Sequence, residues 1–321
     1  MKVLVVGGAG YIGSHAARVL RRHGHEVVIY DNLCTGFERL ARGFELVRGD
    51  ISDAATLHPA LRGCDAVMHF AAHAYVGESV ENPRKYFRNN VESGLALLNA
   101  CVEVGIRKIV FSSTCAVYGV PVKVPITEDN PRDPVNPYGV SKMFFEQALE
   151  AYDRAYGLRF AALRYFNAAG ADESGETGEL HEPETHLIPA AFEAIRGKRQ
   201  QLEVFGEDYP TPDGTCIRDY IHVNDLAEAH MLALKQLGEG AESMKLNLGT
   251  GKGNSVKEII TTIERITGKP VPRHIGPRRP GDPPALVADP SRAEKKLKWK
   301  ATRSIEDIVA SAWKWASQKP A

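Results

Sequence analysis

"KVLVVGGAGYIG", residues 2–13, decides how the rest of the chain is read. Its first half is an aliphatic, β-branched run without polar alternation, the pattern of a strand buried on both faces. Its second half holds Gly7, Gly8, Gly10 and Gly13, which satisfy both G-x-x-G-x-x-G and G-x-G-x-x-G. A helix is expected from Tyr11 to Arg22, stopped near Gly24. Strand, glycine turn and helix in that order bring backbone close to a pyrophosphate, which free N–H groups at the helix start attract. "EVVIYD" (26–31) is then a second buried strand, closed by Asp31 where an acid would take ribose hydroxyls. That carboxylate would repel a 2′-phosphate, so the loop reads as a site for NAD rather than NADP.

The pattern repeats outward. "FELVRGD" (44–50), "DAVMHFA" (65–71), "RKIVFSST" (107–114) and "RFAALRYF" (159–166) read as further strands, with helices over 81–104 and from near Tyr138. Strands alternating with helices imply right-handed crossovers and an α/β fold, a Rossmann-type doubly wound parallel sheet. After Phe166 the alternation stops. Residues 167–216 are rich in Gly, Pro, Glu and Asp, with one helical piece near 188–197. "IRDYIHV" (217–223), a helix from Asn224 and "KLNLG" (245–249) read as a return to the sheet layer. A helix (255–267), a Pro-rich stretch (270–284) and a last helix (304–317) follow. The expected organisation is an NAD-binding domain of 1–166, rejoined by 217–249, and a smaller α/β C-terminal substrate domain of 167–216 and 250–321.

Composition excludes other classes. The 321 residues are 43% hydrophobic and 25% charged with a formal net charge of +0, so no basic stripe calls for nucleic acid. No stretch approaches the ~20 apolar residues of a membrane span. The opening apolar run is too short for a signal peptide. Five scattered cysteines form no C-x-x-C pair, which indicates neither a zinc site nor a disulfide framework and fits the cytoplasm. His69 and His73 read as packing or polar lining, and no metal site is expected.

"YGVSK" (138–142) sets Tyr138 and Lys142 on one helix face, opened by Pro137. A nearby ammonium stabilises phenolate and lowers a tyrosine pKa from about 10, making a general base near neutral pH. "SSTCAVYG" (112–119) ends the preceding strand, where open α/β sheets place their ligands. Thr114 stands there to hydrogen-bond a substrate hydroxyl. Asp50 and Ile51, at the end of the third strand, either flank an adenine or form a plain turn.

Together, the glycine loop, Asp31, "HFAAHAYVGES" (69–79), Asn89, "SSTCAVYG", "YGVSK" and "RYFNAAGA" (164–171) resemble an extended short-chain dehydrogenase/reductase. "FGEDYPTPDGTCIRDYIHVNDLA" (205–227) and "RRPGDPPALVAD" (278–289) narrow the resemblance to the UDP-glucose 4-epimerase (UDP-galactose 4-epimerase) family, over essentially the whole chain. The resemblance implies a catalytic Tyr138, a Lys142 that also holds the nicotinamide ribose, and an assisting Thr114. It implies NAD contacts at Gly7, Gly10, Tyr11, Ile12, Gly13, Asp31, Asn32, Asp50, Ile51, Phe70, Ala71, Ala72, Asn89, Ser112, Tyr138, Lys142 and Tyr165. It implies UDP-sugar contacts at Thr114, Tyr138, Asn167, His186, Leu187, Arg218, Arg279, Asp282 and Leu286. Forked guanidinium donors suit the diphosphate.

The implied activity is NAD-dependent inversion at C4 of a UDP-hexose, UDP-galactose to UDP-glucose, through a transient 4-keto sugar. A 4-epimerase of UDP-GlcNAc/GalNAc, UDP-glucuronate or a UDP-pentose is the alternative, and a non-catalytic NAD-binding redox sensor a more distant one. Cys115 and Ala116 replace the Asp–Glu pair of a 4,6-dehydratase. Three positions depart from the family pattern: Ala74 replaces a cofactor-contacting lysine of some members, His186 in "ETHLIP" (184–189) an amide, and Leu286 a gate that is elsewhere tyrosine or small. The family also implies a homodimer through helices 81–104 and 140–156.

Overall fold

Seven parallel strands form the central sheet of this computed structural model, which describes residues 1–279 and 281–318. They are β1 (Lys2–Val6), β2 (Glu26–Asp31), β3 (Glu45–Arg48), β4 (Ala66–His69), β5 (Lys108–Thr114), β6 (Arg159–Tyr165) and a seventh, Met244–Leu248. Their spatial order is seventh, β6, β5, β4, β1, β2, β3. The chain starts in the middle, runs out to β3 and crosses back to β4. The crevice beyond the strand ends therefore opens between β1 and β4.

Alternate residues of β1 serve opposite faces. Val3 and Val5 pack against the Tyr11–Arg22 helix (α1) and the helix Val223–Gly238, through residues such as Leu20 and Leu226. Leu4 and Val6 share a second core with Leu57, Leu97, Phe145 and Leu149, on helices Ala54–Leu61, Ser93–Val104 and Pro137–Tyr156. Helices on both faces explain why the strand carries no polar alternation. The Pro137–Tyr156 helix starts where sequence places it, because Asn136 accepts from the Gly139 N–H at 2.9 Å and Pro137 needs no donor partner. Gly157, at φ +66°, ends it.

Two expectations change. The helix over 81–104 is interrupted: Val76–Glu81 stops at Asn82, which caps a restart at Pro83, and Phe87–Glu92 is a wider π turn before Ser93–Val104. The segment 217–223 does not rejoin the seven-stranded sheet. Ile217–Arg218 lies between Asn254–Ser255 and Ala285–Leu286, while Tyr220–His222 pairs with Asn167–Ala169. Asp219 divides the two pieces, because its buried carboxylate accepts from the N–H groups of Thr250, Gly251 and Ala288. Only Met244–Leu248 returns to the sheet, beside β6. A third core, with Ile188, Phe192, Val204, Ile259 and Val309, is built wholly from residues after Phe166. Among the described residues, no helix is long and apolar enough to cross a membrane. All five cysteines are unpaired.

Candidate active site

The glycine loop is shaped by close approach. Gly7 sits at φ +78°, and a Cβ there would lie 2.4 Å from the Ala71 nitrogen. A Cβ on Gly13 would lie 2.2 Å from the Gly7 carbonyl oxygen. Gly10 opens α1 without a side-chain cap, and no acidic residue stands in the first turn, so the leading N–H groups face outward free of competing charge. The Tyr11 hydroxyl donates to the Gly170 carbonyl at 2.6 Å, and Ile12 packs against the core. The Phe70 and Ala71 N–H groups both donate to the Val6 carbonyl, which seats 70–72 against Gly7. This cradle, closed to side chains at Gly7 and Gly13 and leading into an uncapped helix start, fits the pyrophosphate of NAD.

Asp31 is buried. Its two oxygens accept from the Ala9 N–H at 2.9 Å and the Leu33 N–H at 2.8 Å. Burial raises its pKa and the two N–H groups oppose that rise. Asn32 donates to Asp50 at 2.7 Å, and the Ser52 hydroxyl donates to Asp50 at 2.6 Å. Burial works against ionisation of Asp50, but these bonds and the charge of Arg88 outweigh it and lower its pKa. Ile51 is buried beside Leu57. The side chain of Asn89 donates to Asn90. Asn90, which the sequence reading passed over, exchanges hydrogen bonds with the His73 backbone and donates to the Ser141 hydroxyl at 3.0 Å. The doubled "NN" at 89–90 was its only signal.

Lys142 is buried, and its Nζ donates to the Ser112 carbonyl at 2.8 Å. It stands 5.9 Å from the Tyr138 ring centroid and 4.8 Å from that of Phe111. Burial lowers its pKa to about 7, opposed by the charge of Glu146. Tyr138 is partly exposed, in the first turn of the Pro137–Tyr156 helix. Burial of its hydroxyl raises its pKa, Tyr165 adds to the rise, and the Thr114 hydroxyl opposes it. The direction is thus upward where the helix pair alone suggests a downward shift, because desolvation of the hydroxyl is the largest cause. Thr114 accepts from the Ala116 N–H at 3.1 Å and caps the short Cys115–Tyr118 turn. The Ser112 and Tyr165 hydroxyls are hydrogen-bonded to each other.

A buried network behind this couple had no local sequence signature. Glu146 accepts from the Ser113 hydroxyl at 2.6 Å and from Arg164 Nε at 2.9 Å. Arg164 also donates to the Tyr118 hydroxyl at 2.7 Å, which donates to Asn247 at 2.6 Å.

The small three-stranded sheet assembles the opposite wall. Arg218 lies directly across from Leu286 and forms an ion pair with Asp282. Leu286 packs on the cluster of Cys115, Val117, Tyr118 and Ile126, beside the turn that Thr114 caps. The Asn167 N–H donates to the Asp219 carbonyl at 3.0 Å, so Asn167 and Arg218 flank one buried aspartate. The Arg279 guanidinium lies 3.8 Å from the centroid of the Phe205 ring. His186 opens the helix Leu187–Ile195, with Nδ1 turned to Glu179 and Glu184 at 3.0 and 3.1 Å.

Residues 3–249 match the model of the NAD dependent epimerase/dehydratase family. The chain is 50% identical over 318 residues to the UDP-glucose 4-epimerase of Azospirillum brasilense, spanning 98% of this chain and 91% of that protein. It superposes with a TM-score of 0.96 on the crystal structure of UDP-glucose 4-epimerase from Brucella ovis in complex with NAD, at 52% identity over 98% of each chain. The UDP-Glc/GlcNAc 4-epimerase from Campylobacter jejuni is 40% identical, with a TM-score of 0.85 over 99% of each chain. The chain therefore belongs to the NAD dependent epimerase/dehydratase family and, within it, to the UDP-glucose 4-epimerases.

Proposed function

We propose that the protein interconverts UDP-galactose and UDP-glucose by inverting C4, with NAD held at the glycine loop. The observation that carries this reading is the convergence of Tyr138, Lys142 and Thr114 at the end of β5, facing the wall of Arg218 and Leu286. Bound NAD supplies the redox exchange at C4. Tyr138 takes the proton of the sugar 4-OH and later returns it; the rise that burial imposes on its hydroxyl is opposed by Thr114 and would be opposed further by the positive nicotinamide of bound NAD. Thr114 orients that hydroxyl. Lys142, with donors beyond the one given to Ser112, steadies the ribose side of the cofactor and the charge that develops on Tyr138. Arg218 and Arg279 hold the diphosphate while the 4-keto sugar turns about it. Binding energy at the nucleotide thereby secures a reaction centre that must itself stay loose.

The test is conversion of UDP-galactose by purified protein. Tyr138→Phe should lose about 100-fold or more of kcat. Near-normal turnover by that variant would sink the assignment.

A wider substrate range is the second reading, favoured by the intermediate size of Leu286 across from Arg218. Rates on UDP-galactose, UDP-N-acetylgalactosamine, UDP-glucuronate and UDP-xylose separate the readings. The redox-sensor reading is not adopted, because a sensor has no need of the full Thr114, Tyr138 and Lys142 set.

We also assign the chain after Phe166, apart from the Val223–Gly238 helix and the Met244–Leu248 strand, to a substrate-binding domain, supported by its separate apolar core, which includes Tyr220. A homodimer is supported by Phe87, Phe144 and Tyr156, exposed on the helices that the family pairs. Light scattering after size exclusion tests it. Five unpaired cysteines support a cytoplasmic setting.

A further inference from the structure

The loop ahead of the Leu187–Ile195 helix gathers four metal-ligating side chains that the proposed reaction does not use together. Glu179, His181, Glu184 and His186 lie within eight residues of sequence, and one donor atom from each falls within 4.8 Å of all the others. We propose that this cluster is a binding site for one divalent zinc-class cation, with two imidazole nitrogens and two carboxylates as ligands.

The separations support a first-row metal. His181 Nδ1 lies 3.2 Å from Glu179 Oε1 and 3.6 Å from Glu184 Oε2, and His186 Nδ1 lies 3.0 Å from Glu179 Oε1 and 3.1 Å from Glu184 Oε1. A tetrahedral Zn²⁺ with bonds of ~2.0–2.1 Å to nitrogen and oxygen needs ligand atoms about 3.3–3.4 Å apart. A Ca²⁺ or Mg²⁺ site would want more oxygen ligands. Two carboxylates and two neutral imidazoles also balance the charge of a dication.

Three further observations bear on the site. His181 Nδ1 is buried and close to both carboxylates, yet it has no hydrogen-bond partner of acceptable geometry. The ligands are braced from outside: the Thr185 and His186 N–H groups each donate to Glu184 at 2.8 Å, and Trp315 Nε1 donates to the Glu179 carbonyl at 2.9 Å. The edges of Tyr11 and Tyr75 flank the His181 ring at centroid distances of 6.3 and 6.1 Å. Such outer support orients metal ligands. A cavity of about 650 Å³ borders Glu179, His181 and Glu184 and provides an access route.

The cation would clasp the loop to the glycine-loop helix through Tyr11 and to the C-terminal helix through Trp315. It engages His186 through Nδ1, the nitrogen that already faces Glu179 and Glu184. The role is structural, and it concerns a part of the chain separate from Tyr138 and Lys142. The competing arrangement is two protonated imidazoles paired with the two carboxylates, which Zn²⁺ must displace.

The experiment titrates Zn²⁺ into full-length protein dialysed against a chelator, followed by calorimetry, with Co²⁺ as a spectroscopic substitute. The expected result is one equivalent per chain and the intense visible bands of tetrahedral Co²⁺ without a thiolate charge-transfer band. The unfolding temperature should rise with Zn²⁺. Glu184→Gln, nearly isosteric, should weaken binding more than about tenfold. His181→Ala should do the same, while Cys34→Ser should change nothing. A flat titration, a thiolate band, or unchanged affinity in correctly folded Glu184→Gln overturns the proposal. UDP-galactose turnover is assayed in parallel, so failure of the metal site is read independently of the epimerase reading.

Discussion

Lys142 Nζ donates to the carbonyl oxygen of Ser112 at 2.8 Å, which ties the Pro137–Tyr156 helix to β5 beside Thr114. The bond places a buried ammonium near the Tyr138 ring and holds it at a pKa of about 7 through burial, against the opposing charge of Glu146. Lys142→Met keeps the volume and removes both the bond and the charge. Its kcat on UDP-galactose should fall about 100-fold or more, and the purified protein should retain less NAD. Initial rates and absorbance of the released cofactor measure the two effects. Wild-type values for both would remove Lys142 from the mechanism.

Glu146 lies one turn beyond Lys142 and is fully buried with Arg164. Burial opposes its ionisation, but Arg164, Ser113 and Arg132 hold its pKa below the usual glutamate range. Glu146→Gln leaves the Arg164 guanidinium buried without its main counter-charge. The expected loss is about 3–5 kcal/mol of unfolding free energy. Glu146→Leu combined with Arg164→Met should cost less than the single change. Urea denaturation of the three proteins checks both statements.

Leu286 faces Arg218 in register and packs beside Cys115. Leu286→Tyr should lower activity on UDP-N-acetylgalactosamine relative to UDP-galactose, and Leu286→Ser should raise it. A pocket-size change of this kind is worth about 10–200-fold in relative kcat/KM. Equal ratios in all three proteins would show that the gate lies elsewhere.

Four buried histidines set an acid limit on stability. Burial is the largest influence on each, lowering the pKa of His15, His222 and His230 to about 4 and that of His69 to about 3. An unfolded histidine takes up its proton near pH 6.5, whereas these stay neutral until well below it. The unfolded state therefore binds more protons between about pH 6.5 and 4. Stability from this source is fully present above pH 6.5 and is lost as pH falls through that window. His230→Phe, which keeps the ring contact with Phe70, should flatten the fall by on the order of 1–3 kcal/mol. Urea midpoints at pH 7 and pH 5 measure it, and an unchanged slope would count against the argument.

The strands were legible because a strand covered on both faces must be apolar at every position, and Val3 to Val6 show this without ambiguity. The glycine cradle was legible because steric exclusion at Gly7 and Gly13 leaves one residue type. Tyr138 and Lys142 were legible because helical spacing alone puts them on one face. What local pattern carries, the chain spells out.

The folded chain decided the rest through pairings distant in sequence. Arg218 meets Asp282, and Asp219 reaches Thr250 and Ala288, only once the short strands have lined up. The same alignment kept 217–223 out of the main sheet, although its apolar residues matched a strand. Glu146 and Arg164 could not be matched by spacing, since a helix and a strand bring them together. The direction of the Tyr138 shift was also a tertiary matter. Charge separation can be guessed from an i, i+4 pair, but desolvation depends on everything packed around the hydroxyl, and here desolvation is the largest cause of the shift.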